Sequence, residues 1–503
     1  MHVTTQAGQM TLGALFRRRA ALQPQAVALT GAEGTLTYGA LAERVARLAG
    51  GLHALGLRRG ERIAVWSENR FEYIELELAA AQLGLVVACL NWRLTDHEQR
   101  HCIALVDPAL VVVSPRYAGA WQRLAIAGPK VLLLDAEFAR WREAQAAAAP
   151  DPHVEPEDGL VILYTSGTTG LPKGALVSQR AMLARGMVFS AEFGIRPADS
   201  FIAWSPLFHM AATDHTLATL AMGGKVLVCD GLDLGRIADW LVREPVGWLL
   251  AMPGMIEPFM EALKPLAGRI RSVKMVGAMA DLLPRQQIAE LTRLVGAPYL
   301  NSFGSTETGL PPASGSLLAP GEVPPSLSKR VNAWCLARLV DAGDEEVPLE
   351  TPGEMTVRGP TLFSGYWGNE RTNAQDFRGG WFHMGDMFVR HADGTLDFVD
   401  RLKYMIKSGG ENIYPAEIER VLLAHPQVRD AAVVRKPDTR WGEVPVAFVA
   451  CDAEVFDAAA LLAFCRERLP GYKVPKELRR IDLEALPRSS TGKIQRHELE
   501  KRL

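Results

Sequence analysis

Between residues 36 and 115 the chain repeats a helix signal followed by a strand signal, and this alternation constrains the fold most. Apolar residues recur at helical spacing from Tyr38 to Leu57 and again from Glu72 to Leu83. Short apolar runs of strand type lie at 62–66, 85–90 and 109–114. Because such alternation is typical of βαβ units, the sequence predicts an α/β fold with a mostly parallel sheet.

The pattern changes twice further along the chain. A biased stretch at 144–157 predicts a surface linker, and the α/β pattern then resumes to about residue 300. Short strands and turns at 320–400 predict a small β-rich subdomain. The tail has signals of its own, with helices at 416–424 and 458–469 and strands at 430–435 and 444–450. We expect an N-terminal domain of mixed and parallel sheets at 1–401 and a small α+β C-terminal domain at 402–503.

Charge and composition exclude several classes of protein. The 55 basic and 57 acidic residues give a net charge of -2, which does not provide the basic surface of a nucleic-acid-binding protein. No apolar run approaches the ~20 residues that span a bilayer, and the N-terminus lacks the order of a signal peptide. The six cysteines have no metal-ligand spacing, so we expect buried thiols in a cytoplasmic protein without stable membrane insertion.

The first candidate site follows an apolar run at residues 161–174, VILYTSGTTGLPKG. Glycine, serine and threonine let backbone N–H groups and hydroxyls turn toward an anion, and Lys173 adds a positive charge. The segment therefore suits a polyphosphate, although Pro172 and Gly174 depart from the P-loop pattern. A solvated glycine-rich turn is the alternative for this segment alone.

Four further segments suit the same nucleotide. Residues 299–309, YLNSFGSTETG, end a strand in a loop whose Glu307, beside Thr306, suits Mg²⁺ next to phosphates. Asp386 follows a turn glycine and suits the two hydroxyls of a ribose. The remaining segments lie at 400–419 and 487–496. Each alone has an alternative as a turn, a hinge or a solvated acid.

In this order and spacing, the five segments closely resemble the acyl-CoA synthetase, or adenylate-forming, superfamily, and the resemblance covers nearly the whole chain. It implies a large N-terminal domain with the substrate sites and a small mobile C-terminal domain that swings between two poses. One pose makes an acyl-AMP from a carboxylic acid and Mg-ATP and releases pyrophosphate. The other pose admits coenzyme A, whose thiol attacks the adenylate.

The resemblance also assigns residues to the nucleotide. The loop that would wrap the phosphates consists of Thr165, Ser166, Gly167, Thr168, Thr169, Gly170 and Lys173. Thr306 would touch the α-phosphate, and Glu307 would hold Mg²⁺. The ribose would be held by Asp386 and Arg401. The adenine would be framed by Ala278, Met279, Asn301, Ser302, Phe303 and Gly304, with Phe303 stacking on it.

Lys493 would be the catalytic lysine of the first half-reaction, because its ammonium offsets the repulsion between the attacking carboxylate and the α-phosphate. Lys403 matches the family's hinge position. Relatives often have glycine before the preceding arginine and aspartate after the lysine, where this chain has Asp400 and Tyr404. The site for coenzyme A would comprise Gly409, Gly410 and Trp441 around the pantetheine, and Lys473 or Lys476 at the phosphates.

The resemblance places His209 at the mouth of the acyl pocket, near the reacting carboxylate. Amino-acid-activating relatives have an aspartate at the position of Met210, and the pocket segments 251–256 and 276–280 supply no arginine for a malonate-type acid. The uncharged wall would consist of Met210, Ala211, Leu250, Met255, Ala278 and Leu310. We therefore expect an apolar monocarboxylic acid, aromatic or medium-chain alkyl. Asp214 and His215 either bind a ring substituent or are structural.

The favoured function is a carboxylate–CoA ligase that uses ATP, Mg²⁺ and coenzyme A, with a homodimer left open. One alternative is an acyl-AMP ligase that loads a carrier protein, and another is a catalytically silent scaffold of the same fold. An oxidative luciferase is disfavoured, since no segment adds oxygen chemistry.

Overall fold

The computed structural model describes residues 7–165, 171–252, 254–452, 456–488 and 494–503. The chain forms two units, the first of Met1–Leu336 with Arg358–Gly380 and the second of Ala337–Val357 with Trp381–Leu503. The second unit thus combines strands of the β-rich region with the C-terminal tail. The domain division after residue 401 stays a prediction.

The first unit alternates strands and helices along most of its length. Its strands are β1 (Val27–Gly31), β2 (Gly34–Thr37), β3 (Arg62–Trp66), β4 (Val86–Cys89), β5 (Leu110–Val113), β6 (Lys130–Leu133), β7 (Gly159–Thr165), β8 (Lys173–Ser178), β9 (Ser200–Ala203), β10 (Lys225–Val228), β11 (Pro245–Leu249), β12 (Ser272–Val276), β13 (Tyr299–Asn301), β14 (Gly304–Ser305), β15 (Gly309–Pro312) and β16 (Ser316–Leu318). Its helices are α1 (Leu12–Leu22), α2 (Tyr38–Ala54), α3 (Phe71–Leu83), α4 (Asp96–Val106), α5 (Ala118–Leu124), α6 (Ala136–Glu143), α7 (Gln179–Phe193), α8 (Met210–Met222), α9 (Leu234–Arg243), α10 (Ile256–Leu263), α11 (Arg285–Val295) and α12 (Glu370–Asp376).

Two large sheets organise the first unit. The six-stranded sheet has the order β6-β5-β3-β4-β7-β8 and is parallel except for the β7–β8 pair. The eight-stranded sheet has the order β16-β13-β12-β11-β9-β10-β1-β2, with antiparallel pairs only at its two ends. The α/β fold predicted by the alternating pattern is confirmed, and β3 has the bounds that the sequence indicates.

Helix α3 lies in the interior of the first unit, and nearly all of its residues are buried. Apolar residues spread around most of the helix favour this position. The helix nevertheless carries Glu75, whose carboxylate accepts from Arg142 at 2.7 Å and pairs with Arg44 at 2.7 Å. Two cations are needed there because an unpaired buried carboxylate is costly.

The eight-stranded sheet has its own apolar core under helices α9, α10 and α11. Residues that these helices bury in the core include Ile237, Leu241, Phe259, Ile288 and Leu291. Helix α9 begins at an aspartate cap and shows apolar residues on one side only, as expected of a helix that covers a sheet. This packing fixes the ends of β11, β12 and β13, where the candidate site lies.

The second unit contains two smaller sheets. Its strands are β17 (Leu336–Val340), β18 (Gly353–Arg358), β19 (Phe382–Arg390), β20 (Leu396–Arg401), β21 (Ile406–Ser408), β22 (Glu411–Ile413), β23 (Asp430–Asp438), β24 (Gly442–Ala450) and β25 (Glu477–Ile481), and its helices are α13 (Pro415–Leu423), α14 (Ala458–Arg466) and α15 (Arg496–Glu500). Strands β17 to β20 form one sheet in sequence order. The other has the order β22-β21-β24-β23, with β25 parallel to β24. The β-rich region and the α+β tail match the prediction.

All six cysteines are buried free thiols, as expected from their spacing. Over the ranges that the structure describes, the helices are too short or too polar to cross a bilayer.

Candidate active site

The phosphate-loop segment begins on strand β7 and ends on β8. The two strands pair antiparallel, so Thr165 lies opposite Lys173. The Lys173 ammonium lies 3.9 Å from the centroid of the Tyr366 ring, which is a cation–π contact. The loop residues that fall outside the described ranges are Ser166, Gly167, Thr168, Thr169 and Gly170.

Tyr366 also contacts the second candidate segment. Its hydroxyl donates to Oε1 of Glu307 at 2.8 Å, and the N–H of Phe363 donates to the Glu307 carbonyl at 2.8 Å. The N–H of Glu307 in turn donates to Oγ of Ser305 at 3.2 Å. The ammonium of Lys173 and the carboxylate of Glu307 therefore meet around one aromatic ring, although the two residues lie far apart in sequence.

Sequence reasoning missed Tyr366, and the signal that points to it is weak. The residue follows Gly365 in the stretch GYWG, and aromatic residues beside glycine are common in loops. Asn373 fixes its backbone, because Oδ1 accepts from the Tyr366 N–H at 2.7 Å and Nδ2 donates to the Tyr366 carbonyl at 2.9 Å. Gly365 has a φ of +106°, a conformation that glycine adopts without strain.

A buried arginine that the sequence analysis did not select holds the Thr306 backbone. Arg185 on α7 is 1% exposed, and its Nη2 donates to the Thr306 carbonyl at 3.0 Å. Its Nε donates to the Thr361 carbonyl at 3.0 Å, and its Nη1 donates to Oδ2 of Asp214 at 2.9 Å. One guanidinium thus joins helices α7 and α8 to the loop that carries Thr306 and Glu307.

The residues expected to frame adenine lie on two adjoining loops. The Tyr299 hydroxyl donates to the Ala278 carbonyl at 2.7 Å, and the Met279 N–H donates to Oγ of Ser302 at 2.9 Å. Met279 has a φ of +52°, which is uncommon for a residue with a side chain. These bonds hold residues 277–279 against the end of β13.

The loop after β13 is fixed by further contacts. The N–H of Phe303 donates to Oγ of Ser314 at 2.9 Å. A Cβ at Gly304 would lie 2.0 Å from the carbonyl oxygen of Gly309, so only glycine fits between β14 and β15. Asn301 donates to the Leu327 carbonyl at 2.9 Å. The predicted adenine frame is therefore a closely packed turn.

Lys329 is a second residue that sequence reasoning missed. Its side chain is fully buried, bonds to Oδ1 of Asn301 and lies 2.7 Å from Oδ2 of Asp281. It thereby ties the start of the adenine-frame loop to the segment after Met279. Lysine is rarely buried without such a partner, yet nothing local in SLSKR distinguishes it from a surface residue.

Helix α8 begins with two of the residues expected at the acyl pocket, Met210 and Ala211. His209 caps the helix, and its Nδ1 accepts from the Ala211 N–H at 3.2 Å. Met210 is half-buried. The remaining wall residues are buried, namely Ala211, Leu250, Met255, Ala278 and Leu310. Met255 belongs to the core under α10 and α11. Contact of these wall residues with the acyl group stays a prediction.

Asp214 and His215 have different environments. Asp214 is 1% exposed and pairs with Arg185, while burial raises the pKa of its carboxyl. Burial lowers the pKa of His215 well below its ordinary value, so its imidazole is neutral. The ring of His215 is enclosed by Phe189 and Trp248, with centroids 3.8 Å and 4.2 Å away. Asp214 therefore already has a buried cationic partner, whereas His215 lines a small cavity, and a role of either residue at the acid stays a prediction.

In the second unit, the two residues expected at the ribose pair with each other. Asp386 on β19 lies opposite Arg401 on β20, and Oδ1 of Asp386 is 2.7 Å from Nε of Arg401. The neighbouring Asp400 is buried, and its Oδ2 accepts from the Ala416 N–H at 2.7 Å. Burial raises the pKa of Asp400, while this bond at the start of α13 opposes the shift. Asp400 thus joins β20 to the first helix beyond the predicted hinge.

The hinge itself differs from the family pattern at Tyr404. The Lys403 ammonium lies 4.9 Å from the Tyr404 ring centroid, and the Arg496 guanidinium lies 4.5 Å from the same ring. Arg496 also donates through Nη2 to both oxygens of Glu419 at 2.7 Å. Lys493, three residues before Arg496, lies outside the described residues.

The residues expected at pantetheine are in direct contact. The Gly409 N–H donates to the Trp441 carbonyl at 2.8 Å, and a Cβ at Gly409 would lie 2.6 Å from the Trp441 ring. Gly410 has a φ of +89°. Asp438 accepts from the Trp441 N–H at 2.8 Å, which fixes the turn while leaving the ring 41% exposed. The glycine is thus required for the tryptophan to pack at this position.

The two lysines expected at the phosphates of coenzyme A differ in exposure. The Lys473 ammonium is part-buried and donates to both carboxylate oxygens of Glu417, at 2.9 Å and 2.7 Å. Lys476 donates through its backbone N–H to the Pro445 carbonyl at 2.9 Å. Lys473 thus already has a carboxylate partner, and contact of either lysine with coenzyme A stays a prediction.

The donor set fits a magnesium ion that a nucleotide carries. Mg²⁺ keeps several waters and binds one or two carboxylates together with substrate phosphates. Glu307 supplies such a carboxylate. Across the described residues, no group of three or more His, Cys, Asp or Glu gathers as a protein-only metal site. The residues present therefore fit Mg²⁺ held mainly by phosphates.

Comparisons with known proteins cover nearly the whole chain. Residues 16–367 match the family described as AMP-binding enzyme, and residues 417–493 match the AMP-binding enzyme C-terminal domain. The chain is 34% identical over 502 residues to an indoleacetate–CoA ligase of Aromatoleum aromaticum, covering 97% of this chain and 98% of the relative. It is 35% identical over 504 residues to a feruloyl-CoA synthase of an Amycolatopsis species, covering 98% and 99%.

Solved structures give the same result. ATP-bound MatB from Rhodopseudomonas palustris matches with a TM-score of 0.84 and 28% identity, covering 98% of this chain and 99% of that chain. The o-succinylbenzoate CoA synthetase of Bacillus subtilis, in complex with its acyl-adenylate intermediate, matches with a TM-score of 0.83 and 25% identity, covering 98% of each chain. The chain belongs to the family of AMP-binding enzymes.

Proposed function

We propose that the chain is an ATP-dependent carboxylic acid–CoA ligase and that its acid is aromatic. The relatives named above act on indoleacetate and ferulate, and a further relative at 32% identity is a 2-succinylbenzoate–CoA ligase. All three acids carry an aromatic ring. This narrows the expectation of an aromatic or medium-chain acid to the aromatic one.

The reaction proceeds in two steps. In the first, a carboxylate oxygen attacks the α-phosphorus of ATP, the bond to the β-phosphate breaks, and pyrophosphate leaves. In the second, the sulfur of coenzyme A attacks the acyl carbon, the bond to AMP breaks, and AMP leaves as the thiol loses its proton. Each step joins or separates anions, so the protein must supply cations and N–H donors at fixed positions.

The contacts that Lys173 and Glu307 each make with Tyr366 carry the proposal. An ammonium and a carboxylate held this way suit a nucleotide whose phosphates face the lysine and whose magnesium faces the acid. When bound, Mg²⁺ neutralises charge on the phosphates and orients them. Arg185 supports this arrangement, since it holds the carbonyl of Thr306, the residue assigned to the α-phosphate.

The other residues keep the roles that the resemblance implies. Lys493 delivers its ammonium to the reacting oxygens, and Asp386 with Arg401 binds the ribose. Gly409 and Trp441 receive the pantetheine, which favours free coenzyme A over a carrier protein as the thiol. Six buried free thiols are consistent with a cytoplasmic location, and a homodimer stays a prediction.

A panel of acids tests the proposal. Carboxylate-dependent exchange of pyrophosphate into ATP reports the first step, and release of a CoA thioester without any carrier protein reports the second. The value of kcat/KM should differ between benzoates, phenylalkanoates, cinnamates and C4–C12 fatty acids, and it should be highest for an aromatic acid. Absence of exchange with every acid would support the silent scaffold, and exchange without thioester release would support the carrier-protein alternative.

A variant pair tests the role of Lys493. Lys493→Ala should abolish exchange yet still convert synthetic acyl-AMP to thioester. Lys436→Ala is the matched control, because Lys436 is a part-exposed lysine of the second unit that pairs with Glu477 at 3.0 Å. Equal loss of both steps in Lys493→Ala would refute the assignment.

A further inference from the structure

The segment that carries Asp386, the residue expected at the ribose, interrupts the regular pairing of strands β18 and β19. Glu354 on β18 lies opposite Met387, and the residue two positions after Glu354 lies opposite His383. One residue of β18 therefore faces the three residues 384–386 of β19, which form a bulge. Asp386 is thus the last residue of an irregular segment, where the register with β18 is broken.

The carboxylate of Glu354 spans this bulge and bonds to it at two points. Its Oε1 accepts from the Gly385 N–H at 3.0 Å. Its Oε2 lies 3.0 Å from Nδ1 of His383. Because an ionised carboxylate only accepts hydrogen bonds, the imidazole carries a proton on Nδ1 and donates it to this bond. One side chain therefore holds both the residue before the bulge and the glycine directly before Asp386.

The pair of Glu354 and His383 is buried within the second unit. The His383 side chain is 2% exposed, and that of Glu354 is 10% exposed. Nε2 of His383 makes no hydrogen bond of ordinary geometry to the described residues and lies 3.8 Å from Oδ1 of Asp344. A hydrogen bond to a charged acceptor is stronger than a neutral one, so the bond from Nδ1 fixes the orientation of both side chains.

Asp386 is held from two directions. On the side of β20, Arg401 lies opposite it, and the ion pair joins Oδ1 of Asp386 to Nε of Arg401 at 2.7 Å. On the side of β18, the bond between Gly385 and Glu354 fixes the backbone one residue earlier, where Gly385 has a φ of +69°. A carboxylate that receives two hydroxyls tolerates a displacement of only about 0.5 Å, so its supporting contacts affect binding directly.

We propose that Glu354 and His383 are positioning residues that place the Asp386 carboxylate for the two hydroxyls of the ribose. They act through the backbone of Gly385 and not by touching the nucleotide. The inference gives a role to the histidine of the segment WFHMGD, in which the sequence analysis selected only the aspartate. It rests on the proposed function and adds two residues to the ribose site within it.

The test compares ATP with 2′-deoxy-ATP and 3′-deoxy-ATP, which each lack one hydroxyl, in carboxylate-dependent pyrophosphate exchange. The kcat/KM of the wild-type protein for ATP should exceed that for each analogue by about tenfold or more, because each lost hydroxyl donates to a carboxylate. Both His383→Leu and Glu354→Leu should lower these ratios to about threefold or less. A general loss of folded protein would instead lower kcat/KM for all three nucleotides alike and leave the ratios unchanged.

Two polar variants of His383 separate the bond from the mere presence of a polar side chain. His383→Asn places an amide nitrogen at the position of Nδ1 and should retain most of the preference for ATP. His383→Gln places its amide at the position of Nε2, loses the bond to Glu354 and should behave like His383→Leu. This pair decides the test if the leucine variants do not fold, and equal ratios in the two would overturn the inference.

A second histidine near β19 gives the matched control. His391 follows the other end of the strand, and its Nδ1 lies 2.9 Å from Oε2 of Glu350, so His391→Leu removes a similar pair and should keep the wild-type ratios. Wild-type ratios in His383→Leu and Glu354→Leu would overturn the inference alone. A wild-type ratio near one would overturn it together with the ribose role of Asp386. Absence of exchange with every acid in the wild-type protein would contradict the proposed function itself, and the inference with it.

Discussion

Replacing Arg185 with leucine tests how strongly the buried guanidinium holds the nucleotide loop. Arg185 is 1% exposed, and its partner Asp214 is 2% exposed in its side chain. Removing one member of a buried ion pair typically costs about 3–5 kcal/mol, because the remaining charge loses its compensation. Here two backbone carbonyls, those of Thr306 and Thr361, also lose a charged donor at 3.0 Å. We therefore expect a loss at the upper end of that range.

The pH dependence of the Arg185→Leu variant has a defined sign. Burial raises the pKa of Asp214, and loss of the guanidinium should raise it further. A carboxyl whose folded-state pKa is raised contributes stability that is fully present below its unfolded pKa and is lost as pH rises through the folded pKa. The variant should therefore lose more stability, relative to wild type, at neutral than at acidic pH. Adding Asp214→Leu should remove this extra dependence.

Urea unfolding at acidic and neutral pH measures the loss of stability and its pH dependence. The KM for ATP shows whether the loop that carries Thr306 and Glu307 has lost its position. The double variant Arg185→Leu/Asp214→Leu should be more stable than the sum of the single losses by about 2 kcal/mol, the size of a direct coupling. Arg243→Leu is the control, because Arg243 forms an exposed pair within α9 and should change stability by less than about 0.5 kcal/mol. Additive single losses, or an unchanged KM for ATP, would refute the reasoning.

Three further predictions address separate contacts. Tyr366→Phe removes the donor to Glu307 and should raise the KM for MgATP about tenfold, as expected for a hydrogen bond to a charged group; an unchanged KM would contradict this. Trp441→Ala should raise the KM for coenzyme A in thioester formation while pyrophosphate exchange persists, and parallel loss of both activities would exclude a role limited to the thiol step. Hydrogen bonds to two carboxylates raise the pKa of His391, so its stabilising effect is present below its ordinary pKa and is lost as pH rises through the raised value. In urea unfolding, the stability of His391→Asn should not show this decrease with rising pH. A pH dependence equal to that of the wild-type protein would contradict the stabilising role of His391.

Much of the fold was predictable because its signals are local. Helix α3 and strand β3 appear within one residue of the bounds that their apolar spacing indicates. Two of the motif segments also begin where their sequences predict, at the ends of strands β7 and β13. Their individual contacts were not predictable, since Tyr366 and Lys329 look like ordinary loop residues in sequence.

The sequence by itself determined the α/β alternation, the order of the five motif segments and the chemical types that suit a magnesium nucleotide. Only the tertiary structure decided which side chains form hydrogen bonds and ion pairs with one another. Arg185 bonds to partners 29, 121 and 176 residues away, and Tyr366 to Glu307 over 59 residues. It also distinguished Asp214, which pairs with Arg185, from His215, which lines a small cavity on the same turn. The physical reason is that periodicity and turn chemistry act between near neighbours, whereas burial and ion pairing depend on which distant segments pack together.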